Sequence, residues 1–102
     1  MRIVANITLT DDGLRDRQFD RQTIDIKDAW KIERMSSDGI PSVGYVPARV
    51  LWEGAKIEDL EDISHMRIVG HNLDLIAVVK SSQKVPDGIL FSMVVETEVS
   101  AG

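Results

Sequence analysis

Apolar and polar residues alternate with period two over much of the chain. Ile3, Ala5, Ile7 and Leu9 interleave with Arg2, Asn6, Thr8 and Thr10, with Val4 the one exception, which predicts a half-buried strand. Ile89, Phe91, Met93 and Val95 mark one face of a second long strand, followed by Val99 after Thr97. Its other face starts with Leu90 and Val94 and turns acidic at Glu96 and Glu98, so burial on both sides should give way to solvent. Leu73 to Lys80 is apolar on both faces and free of glycine, the mark of a central strand. Shorter strands are expected at Thr23–Lys27, Ala48–Trp52 and Met66–Val69, with Val43–Val46 pairing or leading in.

Turn signals fall between these runs. Asp12-Gly13, Asp38-Gly39 and Asp87-Gly88 combine a residue tolerant of φ > 0 with one that bonds its own nearby backbone. Gly70-His71-Asn72 reads as a hairpin turn. Residues 11–22 hold only Leu14 and Phe19 as apolar residues among alternating charges, which predicts a solvated loop or a protruding hairpin arm. Residues 28–36 fit either a short helix capped by Asp28 or a strand with Trp30 and Ile32 inward.

One segment breaks the period of two. Ile57, Leu60 and Ile63 recur every three residues, which no strand can place on one face. At about 100° per residue they form one stripe, and Glu58, Asp59, Glu61 and Asp62 centre directly opposite it. The spacing predicts a short amphipathic helix near residues 56–64 with an acidic outer face. Like charges at i,i+3 and i,i+4 oppose that helix slightly, and Lys56 is the only basic residue close by. The face could meet basic residues of a partner, or Arg15, Arg17 and Arg21 of the charged arm. The expected fold is therefore a single small domain, α+β or mainly β. A largely antiparallel sheet, barrel or sandwich-like, carries one helix.

Composition narrows the chemistry. The 102 residues suit one domain, and an apolar fraction of 43% supports a core without cross-links. The absence of cysteine excludes disulfides, thiolate metal sites and thiol nucleophiles. Residues 1–50 carry eight basic and eight acidic groups, and residues 51–102 carry four and nine, so the whole net charge of −5 lies in the second half. That argues against nucleic acid as a partner of the second half and leaves a basic protein partner open. The N-terminus lacks the pattern of a signal peptide, and no apolar run approaches the roughly 20 residues of a membrane span. A cytoplasmic protein without membrane contact is the expectation.

No catalytic motif emerges. Ser64-His65 are adjacent, but a triad is defined in space and no G-x-S-x-G elbow occurs. His65 and His71 would lie about 20 Å apart on an extended strand, too far for one metal ion. Gly39 to Gly44 lacks the Gly-Lys-Ser/Thr ending of a phosphate loop. No cofactor and no metal is implied. The residues suggest a non-catalytic interaction or assembly module, working through a sheet edge, the acidic helix face or the arm, with a protein partner or a second copy of itself. Small motif-poor chains of this kind are frequent among phage and mobile-element accessory proteins, including structural and counter-defence ones. Two alternatives stand beside it: a small β-barrel binding a small molecule or nucleotide near Trp30, Tyr45 and Trp52, and a small enzyme without a recognisable motif.

Overall fold

The computed structural model describes residues 1–27 and 46–99, so the ambiguous segment 28–36 lies outside the described residues. Six strands are present: β1 (Arg2–Asp11), β2 (Asp16–Ile26), β3 (Val46–Glu53), β4 (Ile63–Gly70), β5 (Leu73–Val85) and β6 (Gly88–Val99). They close into an antiparallel barrel in the order β1-β2-β3-β6-β5-β4, with β4 returning to pair β1. Closure removes most sheet edges, and the alternation of each strand sends one face into the lumen.

The lumen side is the apolar face read from the sequence. Ile7 and Leu9 of β1, Val50 and Trp52 of β3, Met66 and Ile68 of β4, Leu75 and Ala77 of β5, and Phe91 and Met93 of β6 are buried together. Each large side chain so buried contributes about 1.5–3 kcal/mol before conformational entropy is set against it. The two-residue turn His71-Asn72 links β4 to β5, and Asn72 takes the left-handed backbone (φ 60°) that asparagine tolerates.

The expected helix is absent. Among the described residues there is no helix, and their regular structure is all β. Residues 54–62 are an irregular connection from β3 to β4. In the ring these two strands sit opposite one another, so the connection has to cross the mouth of the barrel. It does so with Ile57 buried in the core and Leu60 packed against it, while a single turn from Leu60 to Ile63 (N···O 3.4 Å) delivers Ile63 into β4. The spacing of three thus comes from a bent crossing that drops an apolar side chain inward at each approach. A helix of that length would fall below the roughly 12–15 residues at which isolated helices become even marginal, and its acids would repel one another.

Candidate interaction surface

β2 runs past its partner β3, while β1 stays within the barrel, paired with β4 from Ala5 to Asp11. β2 pairs with β1 from Asp16 to Asp25, yet with β3 only from Ile24 to Ile26. Among the described residues, no strand pairs with the far side of Asp16–Thr23. Residues 11–22 are therefore the end of β1, its turn and the first part of β2, with β2 laddered to β1 on one side. Its low apolar content follows from its position, because an overhanging strand has little core to face.

Hydrogen-bond phase fixes which groups this edge offers. Asp11 N donates to Arg15 O (3.0 Å) at the tip, and Ile26 N donates to Met1 O (2.8 Å) at the far end. Residues in register with these bonds, including Arg17 and Phe19, direct their backbone groups toward β1. Asp16, Gln18 and Asp20 then direct theirs away from it. Between them and Gln22 the ladder contains a bulge, where Arg21 adopts φ 53° and its N–H donates to Asn6 Oδ1 (3.0 Å). Gln22 closes the edge beyond that point, since its side-chain Nε2 donates to the Asp20 carbonyl (2.9 Å).

Side chains along the edge alternate likewise. Phe19 faces the lumen and meets Trp52 edge-on, with ring centroids 4.9 Å apart. Arg17 shares its side, and Asp16, Gln18 and Asp20 lie on the other. Arg15, Arg17 and Arg21 are exposed and form no ion pair among the described residues. They do not reach the acidic residues.

Glu58, Asp59, Glu61 and Asp62 are all exposed, but on the β3–β4 connection rather than on a helix. With Leu60, Ser82 and Lys84 they line a shallow concavity on that side of the barrel. The arm and this loop are joined by a backbone hydrogen bond, Asp12 N donating to Asp62 O (2.8 Å). One continuous surface thus carries the arginines on the arm and the carboxylates beside its tip.

Leu14 was not legible as a candidate from the sequence. It sits at the tip of the arm, 83% exposed, with a left-handed backbone (φ 62°). The usable signal was chemical: a lone leucine directly after Asp12-Gly13, in a stretch otherwise almost without apolar residues.

The other candidates are placed less suggestively. Trp52 is only 1% exposed, enclosed by Phe19 and Phe91, and its Nε1 donates to Gln22 Oε1 (3.0 Å). Trp30 and Tyr45 lie outside the described residues. Ser64 Oγ donates to the Thr10 carbonyl (3.1 Å), with His65 Nδ1 3.0 Å from the same oxygen. With its hydrogen given to that carbonyl, the Ser64 oxygen is left to accept from His65 Nδ1 in the tautomer protonated there. His65 Nε2 lies 3.7 Å from Glu96 Oε2 on the outer wall, and His71 is exposed in its turn. Among the described residues no three histidines or carboxylates gather as a metal site, and no helix is long and apolar enough to cross a membrane.

Comparison of the chain with protein-family models, with curated proteins and with solved structures finds no match.

Proposed function

We propose that this protein is a non-catalytic, cytoplasmic interaction module that engages a protein partner through the β1–β2 arm. The observation that carries this reading is Leu14. A left-handed backbone costs a residue with a Cβ roughly 1–2 kcal/mol, which glycine would avoid. At 83% exposure the leucine recovers almost none of that from packing within the chain. A strained, solvent-facing apolar side chain at the tip of a hairpin is better suited to contact with another molecule than to stabilising its own fold. Arg15, Arg17 and Arg21 support the reading as cations without an ion pair among the described residues, and the neighbouring acidic loop supplies the opposite charge. Mixed charge around an apolar anchor matches the rim-and-core organisation of protein interfaces.

The test is affinity capture from host lysate with three baits. One is wild type, one carries Leu14→Gly, Arg15→Glu and Arg17→Glu, and one carries Glu58→Lys, Asp59→Lys, Glu61→Lys and Asp62→Lys. The arm variant is expected to lose a partner that wild type retains, with its melting temperature no lower than wild type. Retention of the same proteins by wild type and the arm variant would rule the arm out. Loss only in the loop variant would move the interface to the acidic connection.

A further inference from the structure

We infer that the arm binds its partner by strand addition. The unpaired edge at Asp16, Gln18 and Asp20 accepts an extended antiparallel segment with basic side chains on its outer face. This rests on the arm being the interface and goes further, to the partner's backbone conformation and charge pattern. The outward N–H and C=O groups of Asp16 and Gln18 and the N–H of Asp20 form a short row with no strand opposite them among the described residues. The Asp20 carbonyl is already used by Gln22, so the row has a defined end. Such a row is a template for one more strand.

Charge selects the occupant. A symmetric pair of these edges requires residues of the same face to oppose one another about a two-fold axis. Registers centred on Asp16, Arg17, Gln18 or Asp20 set like charges directly opposite: Asp16 on Asp16, Arg17 on Arg17, Asp16 on Asp20, or Asp20 on Asp20. Self-pairing is therefore disfavoured in these registers. A different strand is favoured if it places cations opposite Asp16 and Asp20, an acid opposite Arg17 and an apolar residue opposite Phe19. Continued past Arg15, it brings a further apolar side chain to Leu14 at the tip. All six ladders of the barrel are antiparallel, and the same sense is assigned to the added strand.

The probe is a blocked synthetic peptide reading lysine, valine, threonine, glutamate, lysine, threonine, leucine from its N-terminus. Its first lysine falls opposite Asp20 and its leucine opposite Leu14. Binding is measured by amide chemical shifts of the full chain and by titration. Wild type is expected to bind, with the Asp16 and Gln18 amides moving most. Gln18→Pro removes an N–H that points away from β1, so the hairpin should remain folded and binding should weaken about ten-fold or more. Should Gln18→Pro fail to fold, a charge swap replaces it: Asp20→Lys should reject this peptide and accept one whose first lysine is glutamate. The inference is overturned if wild type does not bind, if Gln18→Pro binds as well as wild type, or if the swap does not follow charge. A wild-type dimer that Gln18→Pro dissociates would also overturn it, making a second copy the occupant. Lysate partners that survive Gln18→Pro but are lost from the arm variant would remove strand addition and leave the arm as the interface.

Discussion

The indole Nε1 of Trp52 donates to Gln22 Oε1 at 3.0 Å, and the other end of the same amide donates to the Asp20 carbonyl. One glutamine therefore satisfies the polar atom of a core tryptophan and finishes the free edge of β2. Gln22→Ala is expected to destabilise the barrel by about 1–3 kcal/mol, because it strands a largely desolvated N–H. Urea denaturation followed by tryptophan fluorescence in a Trp30→Phe background checks this, since Trp52 is then the one reporter. An unchanged midpoint would mean that water replaces the amide at no cost.

Ile57 is the plug of the barrel mouth. Its side chain enters the core from a connection without regular structure, so its contribution comes from burial alone. Ile57→Ala should cost about 2–4 kcal/mol, while Glu58→Ala and Glu61→Ala should stay within about 0.5 kcal/mol. Equal effects at all three positions in thermal unfolding would contradict the plug.

Ile57 also shows where sequence reasoning reaches its end. The period of three located the buried residues of 57–63 and the exposed acids, because burial leaves a mark on composition whatever the backbone does. It did not locate the backbone geometry, since a bent crossing with one turn and a short helix produce the same spacing. Strands facing the core were legible for the matching reason: Ile3 to Leu9 and Ile89 to Val95 must alternate if one face is buried. Ring order was not, because β3 pairing β6 and β4 pairing β1 join residues far apart in sequence. The arginines of the arm were visible as charge. The edge beside them was not, for it exists only because β3 stops pairing at Ile24.

Gly88 starts β6 with φ 153°, and a Cβ there would lie 2.0 Å from the Trp52 carbonyl oxygen. That contact is with backbone, so no side-chain rotation relieves it. Gly88→Ala should separate β6 from the end of β3, where Gly88 pairs Glu53, and lower stability by several kcal/mol, about what other large backbone clashes cost. Faster amide exchange at Trp52 and Glu53 would report the local opening. Wild-type exchange at those amides would refute the clash.

Arg67 donates from Nε (2.9 Å) and Nη2 (2.6 Å) to the two carboxylate oxygens of Asp74, across the β4–β5 hairpin. The guanidinium holds the Asp74 carboxyl below the usual range, and Lys27 followed by the N-terminal ammonium does the same for Asp25. A carboxyl depressed in the folded state stabilises the fold above its unfolded pKa, and the gain disappears as pH falls through the folded value. Stability should therefore be level near neutrality on account of these two groups and decline below about pH 4. Both sites are open to solvent, so the slope should be shallow and weaken in high salt. Arg67→Gln should flatten it in a series of urea midpoints against pH. A variant with the wild-type slope would show that the pair does not contribute.

Leu14 separates stability from interaction most cleanly. Its backbone is left-handed and its side chain is exposed, so replacing it with glycine removes strain and almost no packing. Leu14→Gly should raise stability by up to about 1 kcal/mol, the gain being offset in part by the greater freedom of glycine in the unfolded chain. Leu14→Val should do the reverse, because a β-branched residue tolerates φ > 0 poorly. Calorimetry on the three proteins gives the order, and the same samples can be offered the partner or the strand peptide. If the leucine is kept for contact, the glycine variant will be more stable than wild type and bind more weakly. A glycine variant that is less stable would show that Leu14 serves the fold, and the reason for placing a strained leucine on that tip would have to be sought inside the chain.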